Sequence, residues 1–297
     1  MDSATPSHAQ SSELWFLAPA CEAGELGRLA HYRILGVLGK GAMGIVFEAE
    51  DTHLRRIVAL KVMSPNVEQS EEGRARFVRE ARAAAALKHD QVVTIYQVGE
   101  ERGIPYLAME RLQGKSLDEW LRPDRRAGMA ETFLIAKQIA RGLAAAHEAG
   151  LIHRDIKPSN LWLEAPRWRV KILDFGLARR QQGDFSVLTQ DGALVGTPAY
   201  MAPEQIHGEA LDGRCDLFSF GCVLYRIVTG RLPFQGPTLI AVLAAVTTET
   251  PVDVRSINPE VPSKLADLIR RLLAKEVDER PKSARIVLQE LTSIEKE

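Results

Sequence analysis

The 297-residue sequence has few cysteines, no excess of basic residues and no long apolar run. Its three cysteines are too few and too scattered for a disulfide framework or a zinc site. Lys and Arg number 38 against 39 Asp and Glu, and this balance argues against a general nucleic-acid or membrane-surface binder. No apolar stretch approaches the ~20 residues that span a bilayer, and the start of the chain lacks a signal-peptide pattern. We therefore expect no nucleic-acid partner, no membrane segment and a cytoplasmic, reducing location.

The composition is that of an ordinary globular protein, with 45% hydrophobic and 26% charged residues. The length predicts two domains, or one domain of two lobes. Residues 1–30 begin with a polar stretch rich in Ser, Ala and Pro, which predicts a disordered tail. The apolar patch Leu14–Leu17 lies inside this tail, and its docking on the folded body or on a partner is left open. We interpret Cys215 and Cys222 as small buried apolar side chains.

The pattern of residues 31–112 predicts a small β-rich lobe with one main helix. The helix is expected over Ser70–Lys88, with Ser70 as its cap. A turn is expected at Glu100–Gly103. The predicted strands are Ile34–Leu38, Ile45–Glu50, Ile57–Met63, Val92–Val98 and Pro105–Glu110.

Residues 113–297 are predicted to be mainly helical, which makes the expected fold class α+β. Ser116–Glu119 has the form of a capping box. Two of the predicted helices start with Pro, whose missing N–H costs little in the first turn. The predicted helices are Glu131–Ala149, Asp216–Thr229, Pro262–Ala274 and Pro281–Ile294.

A glycine-rich turn follows the first predicted strand. Gly39, Gly41 and Gly44 fit the pattern GxGxxG, in which glycine lets backbone N–H groups approach phosphate oxygens. The motif lies between two strands, whereas a dinucleotide fingerprint should open a helix. A flexible hairpin with no ligand is the alternative interpretation of this motif by itself.

A lysine and a glutamate follow at positions that suit a phosphate site. Ala59 and Lys61 point to the same side of the next strand because side chains alternate along a strand. Lys61 can therefore meet phosphate while Ala59 contacts a base. Glu80 lies in an apolar part of the predicted helix, where a carboxylate needs a cationic partner such as Lys61.

Three further motifs occur in order: HRDIKPSN at residues 153–160, DFG at 174–176 and GTPAYMAPE at 196–204. Each by itself is compatible with a surface turn. With the glycine-rich turn and VALK, the sequence over about residues 32–294 resembles the eukaryotic-type (Hanks-type) Ser/Thr protein kinases, and its GAMG and GTPAYMAPE segments are most similar to the bacterial branch. The resemblance implies a two-lobed protein-kinase-like fold, with residues 31–112 as N-lobe and 113–297 as C-lobe.

The resemblance also implies a role for each motif residue. Asp155 orients the substrate hydroxyl or accepts its proton, and Lys157 reaches the γ-phosphate. Asn160 and Asp174 hold Mg²⁺ or Mn²⁺. Lys61, held by Glu80, binds the α- and β-phosphates. The other residues of the implied ATP site are Leu38, Gly39, Gly41, Gly44, Val46, Ala59, Met109, Glu110, Leu112 and Trp162.

Several residues match structural positions of the family. His153, Phe175 and Ile95 correspond to parts of the hydrophobic spine. Glu204 and Arg280 correspond to a buried ion pair, and Asp216 to the carboxylate that braces the HRD backbone. Three residues depart from the usual pattern: Ala84 in place of a larger spine residue, Trp162 in place of a Leu beneath adenine, and Phe218 in place of Trp or Tyr.

Three residues are candidates for control through the activation loop. The resemblance makes Arg154 a docking point for a phosphate on this loop. Thr189 is the expected phosphorylation site, with an exposed and unmodified residue as the alternative. Thr197 is assigned the bracing of Asp155 and Lys157.

The expected function is transfer of the γ-phosphate of ATP to protein Ser and Thr hydroxyls, including those of the chain itself. A pseudokinase that acts as a nucleotide-binding scaffold is the main alternative, and the presence of Lys61, Asp155 and Asp174 argues against it. A metabolite phosphotransferase is a second alternative, which the GTPAYMAPE segment disfavours. The expected partners are protein substrates, and a homodimer is left open.

Overall fold

The computed structural model describes residues 14–41, 44–63, 71–121, 127–175 and 198–297, with the backbone only for 71–77. The chain divides into two compact units. The first comprises residues up to Ala85 together with Thr94–Leu112, and the second comprises Ala86–Val93 and Gln113–Glu297. The predicted cap Ser70 lies outside the described residues, as do Thr189 and Thr197.

The first unit contains a six-stranded antiparallel sheet with the order β1-β2-β3-β4-β6-β5. Its elements are β1 (Gly27–Leu29), β2 (Tyr32–Gly41), β3 (Gly44–Asp51), β4 (Arg56–Met63), helix α1 (Glu71–Ala86), β5 (Ile95–Glu101) and β6 (Ile104–Glu110). The strands predicted around β2, β3, β4 and β6 are therefore confirmed, with wider bounds.

The strand predicted at Val92–Val98 is split between the two units. Val92 makes a parallel bridge to Ile172 in the second unit, and β5 begins only at Ile95. The apolar run is continuous in sequence, but its two halves pair with different partners. The turn before β6 is confirmed: Arg102 and Gly103 both have positive φ, 51° and 78°, as the tight hairpin turns that match strand twist require.

The expected tail over residues 1–30 is wrong for its second half. Residues 14–29 are part of the first unit, and β1 within them pairs with β2. Phe16 is only 5% exposed and packs in the apolar core of the sheet. Burial of Phe16 and Leu29, together with the pairing of β1 and the backbone hydrogen bonds of Ala18, opposes the entropy of ordering this segment. Residues 1–13 lie outside the described ranges.

The second unit is mainly helical and carries a small sheet in the order β7-β8-β9. The strands are β7 (Gly114–Ser116), β8 (Leu161–Glu164) and β9 (Arg169–Ile172). The helices are α2 (Leu117–Trp120), α3 (Met129–Glu148), α4 (Pro203–His207), α5 (Arg214–Thr229), α6 (Leu239–Thr248), α7 (Val254–Ile257), α8 (Ser263–Leu272) and α9 (Ala284–Ile294). Helix α5 forms the core of the unit and includes Cys215 and Cys222, which are fully buried free thiols as interpreted.

Two helix starts show how well local sequence signals predict where a helix begins. The capping box is confirmed, because the Ser116 hydroxyl accepts the Glu119 N–H and the Glu119 carboxylate accepts the Ser116 N–H. Helix α9 starts three residues later than predicted, because the Ser283 hydroxyl accepts the Ile286 N–H and caps the helix after Pro281. In the part of the chain that the structure describes, every helix is too short or too polar to cross a bilayer.

Candidate active site

The glycine-rich motif lies in the hairpin of β2 and β3. Gly41 pairs with Gly44 and Gly39 pairs with Val46, while the two residues at the tip are outside the described ranges. Gly44 has a φ of 141°, which L side chains rarely adopt. The expected position between two strands is confirmed, so the backbone of this hairpin is the part of the motif that can approach a ligand.

Four implied ATP-site residues of the first unit share one face of the sheet. Lys61 on β4 lies opposite Val46 on β3, and Ala59 lies opposite Met109 on β6. Directly paired residues, and residues two apart on one strand, point to the same face. Lys61 is only 4% exposed. The pairing of Lys61 with Glu80, which is half-buried on α1, stays a prediction.

The opposite face of the same strands carries the apolar core of the first unit. Leu60 and Val62, on either side of Lys61, are fully buried there. A register slip of one residue would exchange the two faces and bury the lysine in this core. The apolar face therefore fixes which side of the sheet carries Lys61.

Of the other implied ATP-site residues of the first unit, Leu38 lies on β2, Glu110 ends β6 and Leu112 follows it. Met109 and Leu112 are each 7% exposed, whereas Leu38 near the glycine hairpin is 40% exposed. The carboxylate of Glu110 accepts the N–H of Thr94 at 2.7 Å, and the N–H of Glu110 donates to the Thr94 carbonyl at 2.9 Å. The Glu110 backbone is thus held at the point where β6 ends.

In the second unit, the carboxylate of Asp155 is held by two neighbours from its own segment. The ammonium Nζ of Lys157 lies 2.8 Å from Asp155 Oδ2. The amide Nδ2 of Asn160 donates to the same oxygen at 3.0 Å and to the Asp155 carbonyl at 2.8 Å. The carboxylate is 27% exposed. A fixed, partly exposed carboxylate beside a cation is suited to orient a hydroxyl group.

Asn160 and Asp174 present the oxygen ligands that hard divalent cations prefer. Because Asn160 directs its Nδ2 at Asp155, its Oδ1 points to the other side of the amide. The N–H of Leu173 donates to the Asn160 carbonyl at 2.9 Å, which holds the two segments together. Asp174 has a φ of 61°, a strained conformation for a residue with a side chain. Both residues thus carry oxygen atoms of the kind that Mg²⁺ binds, and their assignment to a metal site stays a prediction.

The ring of His153 links the segment around Asp155 to the segment around Leu173, and its hydrogen bonds define its tautomer. Its Nε2 lies 2.7 Å from the Leu173 carbonyl, and its Nδ1 lies 3.2 Å from the N–H of Asp155. The first contact needs a ring donor and the second a ring acceptor, which assigns a neutral imidazole with the proton on Nε2. The ring also contacts Phe175 edge-on, at 4.7 Å between centroids.

The buried carboxylate of Asp216 holds the backbone just before Asp155. It accepts the N–H of His153 at 2.8 Å and the N–H of Arg154 at 2.7 Å. The ring of His147 lies 2.8 Å from its Oδ2. Burial by itself would raise the pKa of Asp216, but the interactions with His147 and His153 outweigh it and hold the pKa below its ordinary value. Asp216 therefore stays ionised and can serve both N–H groups.

Glu204 and Arg280 form a buried ion pair in the same unit. Two guanidinium nitrogens of Arg280 contact the two Glu204 oxygens at 2.6 and 2.8 Å. The other three N–H donors reach the carbonyls of Ala274, Arg214 and Lys275. All five donors of the guanidinium are thus used, as a buried cation requires.

Comparison with known proteins identifies the family. The model of the protein kinase domain matches residues 32–291. The chain belongs to this family. It is 38% identical over 257 residues to the probable serine/threonine-protein kinase SCO3848 of Streptomyces coelicolor, a match that covers 85% of this chain and 38% of the relative. It is 36% identical over 274 residues to the serine/threonine-protein kinase pkn3 of Myxococcus xanthus, with 90% and 50% covered.

The structural comparison agrees with the family assignment. The kinase domain of Mycobacterium tuberculosis PknI superposes with a TM-score of 0.73 at 26% identity, covering 93% of this chain and 100% of that one. The expected α+β kinase fold and the similarity to bacterial members are therefore confirmed. The kinase domain spans half or less of the length of these curated relatives.

Two residues that hold the segment around Asp155 were missed by sequence reasoning. His147 on α3 contacts Asp216, and the side-chain amide of Gln205 on α4 donates to the Arg154 carbonyl at 2.9 Å. Their partners are 69 and 51 residues away in sequence, so no local pattern marks them. The motifs around Asp155 identify the backbone groups that need to be held, but they do not identify the side chains that hold them.

Trp162 is fixed although it departs from the family pattern. Its indole Nε1 donates to the Gln113 carbonyl at 3.1 Å, and Trp162 pairs with Ser116 between β8 and β7. The indole is half-buried. Its position beneath adenine stays a prediction.

Proposed function

We propose that this kinase domain transfers the γ-phosphate of ATP to Ser and Thr hydroxyls of proteins. The proposed domain covers residues 31–294, with an N-lobe up to Leu112 and a C-lobe from Gln113. The observation that supports the proposal most directly is the arrangement of Asp155, whose Oδ2 contacts both Lys157 and Asn160. Phosphoryl transfer needs positioning and charge stabilisation more than covalent chemistry from the protein.

Different side chains supply the positioning and the charge stabilisation. Asp155 accepts a hydrogen bond from the substrate hydroxyl and orients it for attack. Lys157 and Lys61 supply positive charge for the phosphates. Asn160 and Asp174 would hold Mg²⁺ or Mn²⁺, which when bound neutralises negative charge on the phosphates. ATP is an intracellular phosphate donor, so the proposal includes a cytoplasmic location.

Substitution of Asp155 tests the proposal. Asp155→Asn keeps the size of the side chain but removes the negative charge that orients the hydroxyl. We expect transfer of radiolabelled phosphate from ATP to a generic protein substrate to fall at least ~10²-fold. We expect the Kd for the β,γ-imido analogue of ATP with magnesium to change little, because the substitution leaves Lys61 and Asp174 in place.

The matched control for this test is Asp267→Asn. Asp267 is a surface residue whose side chain is 65% exposed and contacts Arg270, so transfer should be unchanged. Wild-type transfer by the Asp155→Asn protein would show that Asp155 is not catalytic. Nucleotide binding by the wild-type chain with no transfer to any protein would favour the pseudokinase alternative.

We also propose that phosphorylation of Thr189 controls the activity through Arg154. The backbone of Arg154 is fixed by Asp216 and Gln205, and its side-chain Nε is buried without a hydrogen-bond partner among the described residues. A phosphate on Thr189 would add about −1.5 to −2 charges and could pair with this guanidinium. Thr197 keeps its proposed bracing role.

Mass spectrometry after incubation with ATP and magnesium tests this control. We expect phosphate on Thr189 and a several-fold lower activity of Thr189→Ala, whereas Ser186→Ala serves as the matched loop control. A rate that rises with the square of protein concentration would indicate transfer between two copies, and hence a transient homodimer. Unmodified Thr189 together with full activity of Thr189→Ala would exclude this switch.

A further inference from the structure

Residues 14–29, which we name the N-terminal strap, precede the part of the chain that matches the kinase family. We propose that this strap positions the strand that carries Lys61, and that Phe16 is its positioning residue. The inference rests on the proposed function, because it concerns the phosphate-binding role of Lys61. It assigns a role in nucleotide binding to a segment outside the family domain.

The strap extends the sheet by strand pairing. Its strand β1 pairs with β2, with Gly27 opposite Ile34 and Leu29 opposite Tyr32. Ala18 in turn exchanges two backbone hydrogen bonds with Arg28, at 2.7 and 2.9 Å. The free edge of β2 is thereby covered. The strap is therefore held along its length, at both β1 and Ala18.

The close approach within the strap requires glycine at position 27. Gly27 has a φ of 151°, and a Cβ atom there would lie 2.6 Å from the carbonyl oxygen of Ala18. Any other residue would push the two paired stretches apart. Glycine at position 27 is therefore what allows Ala18 and Arg28 to pair closely.

Phe16 anchors the strap in the core of the first unit. Its side chain packs edge-on against Phe47 of β3, at 6.2 Å between ring centroids. Leu14 and Leu17 pack against the same cluster. The neighbouring Trp15 is 65% exposed. Phe16 and Trp15 therefore form an adjacent pair of large aromatics with opposite burial.

Ion pairs hold the polar part of the strap. Glu22 contacts Arg28 at 3.2 Å and Arg33 on β2 at 2.7 Å, and Arg33 also contacts Glu50 on β3. Glu25 accepts the N–H groups of Cys21 and Glu22 as well as hydrogen bonds from Arg28. The contacts of Glu22 are partly exposed and add specificity more than stability, whereas the carboxylate of Glu25 is buried.

The anchor is connected to Lys61 through the alternation of β4. Leu60 and Val62 belong to the same buried cluster as Phe16, and Lys61 lies between them on the other face. Loss of the phenyl ring leaves a cavity in that cluster, into which its neighbours shift. A shift of Leu60 and Val62 moves the backbone of Lys61, and the ammonium with it. Tight packing is what transmits the change.

The test compares Phe16→Ala with Trp15→Ala in the full chain. We expect Phe16→Ala to lower Tm by about 10 °C. At a temperature well below that Tm, we expect it to raise the Kd for the β,γ-imido analogue of ATP, and the KM for ATP, by about 10-fold. The value of kcat at saturating ATP should change less than KM. Trp15→Ala removes an edge-on contact with the ring of Phe16 but leaves that ring in the core, so Tm, Kd and KM should change much less than in Phe16→Ala.

Two further variants separate positioning from general loss of stability. Leu291→Ala removes a fully buried side chain from α9 in the second unit; we expect a similar fall in Tm with an unchanged Kd. Phe16→Leu keeps an apolar anchor and should restore most of the affinity, and it also serves if Phe16→Ala does not fold.

The outcomes distinguish this inference from the proposed function. An unchanged Kd in Phe16→Ala, or an equal rise in Leu291→Ala, would overturn the positioning role while the kinase assignment stands. A wild-type chain that binds no nucleotide would overturn both. A wild-type chain that binds nucleotide but transfers no phosphate would overturn only the proposed function, because the Kd comparison still tests the strap.

Discussion

The two units hold their site residues by different physical means. In the first, Lys61 and Ala59 are placed by strand alternation, and the buried apolar face fixes the register. In the second, Asp155 lies on an irregular segment, in which the backbone N–H groups of His153 and Arg154 have no strand partners and bond instead to a buried carboxylate. Loss of apolar packing has a graded effect, whereas loss of one buried charge leaves its partners unsatisfied.

Among the substitutions that test this difference between the units, Arg280→Met should reduce the free energy of unfolding most. The substitution leaves Glu204 buried without its cation and should reduce the free energy of unfolding by about 3–5 kcal/mol. Urea denaturation followed by circular dichroism measures this change. The double variant Glu204→Leu/Arg280→Met should recover part of the loss, because the unpaired charge is gone. If single and double variants were equally unstable, the cost would lie in packing, and a buried charge would not distinguish the second unit from the first.

A smaller and more local effect is expected from Asp216→Asn. The amide has only one acceptor oxygen for the N–H groups of His153 and Arg154, so the free energy of unfolding should fall by about 3 kcal/mol. We expect kcat to fall while the Kd for nucleotide is kept. Asp212→Asn is the matched control near the start of the same helix, because its side chain is 54% exposed, and it should cost less than about 1 kcal/mol.

The pH dependence of unfolding tests whether the negative charge of Asp216 is what stabilises the second unit. The folded-state pKa of Asp216 is lowered from its ordinary 3.8. Its contribution to stability is therefore present above pH 3.8 and is lost as the pH falls through the folded-state value. Acid denaturation of the wild type should be steeper below pH 4 than that of Asp216→Asn. Equal slopes would show that Asp216 does not carry this charge-dependent stability.

The smallest effect should come from Lys275, a cation that lies over an aromatic ring. Its Nζ is 3.7 Å from the centroid of Phe234 and donates to the Val246 carbonyl at 2.6 Å. Burial lowers the pKa of Lys275 from 10.5 to about 8. Between pH 8 and 10.5 the folded state loses this proton before the unfolded state does, so the contribution of this residue to stability rises with pH.

A comparison of the wild type with Lys275→Met isolates this contribution from other groups that titrate in the same range. The wild-type free energy of unfolding should rise relative to the variant from pH 8 to 10, by less than about 1 kcal/mol because the ammonium is only half-buried. Thermal denaturation at several pH values gives the difference. Parallel curves would mean that the site behaves as the exposed surface does.

Local chemistry was enough to predict several features of the fold and the site. The capping box of Ser116 and Glu119 was predicted because its partners are three residues apart. The shared face of Ala59 and Lys61 follows from the period of a strand. The order of the motifs gave the family, and the residues that carry chemistry were identified through it. Their roles stay predictions, since they depend on groups that the chain binds.

Other features depend on contacts between distant parts of the chain. The split of the apolar run at Val92–Val98 follows from Val92 bridging Ile172. His147 and Gln205 were missed because each acts on a backbone segment far away in sequence.

The sequence by itself determined the family, the α+β class and the identity of the groups that can do chemistry, because those are written in residue types at short spacing. Only the tertiary structure decided that residues 14–29 belong to the first unit. The polar stretch at the start of the chain indicated disorder, and the few apolar side chains that overcome it have no local periodicity. Their effect depends on the cluster around Phe47, Leu60 and Val62, which exists only once the sheet has formed.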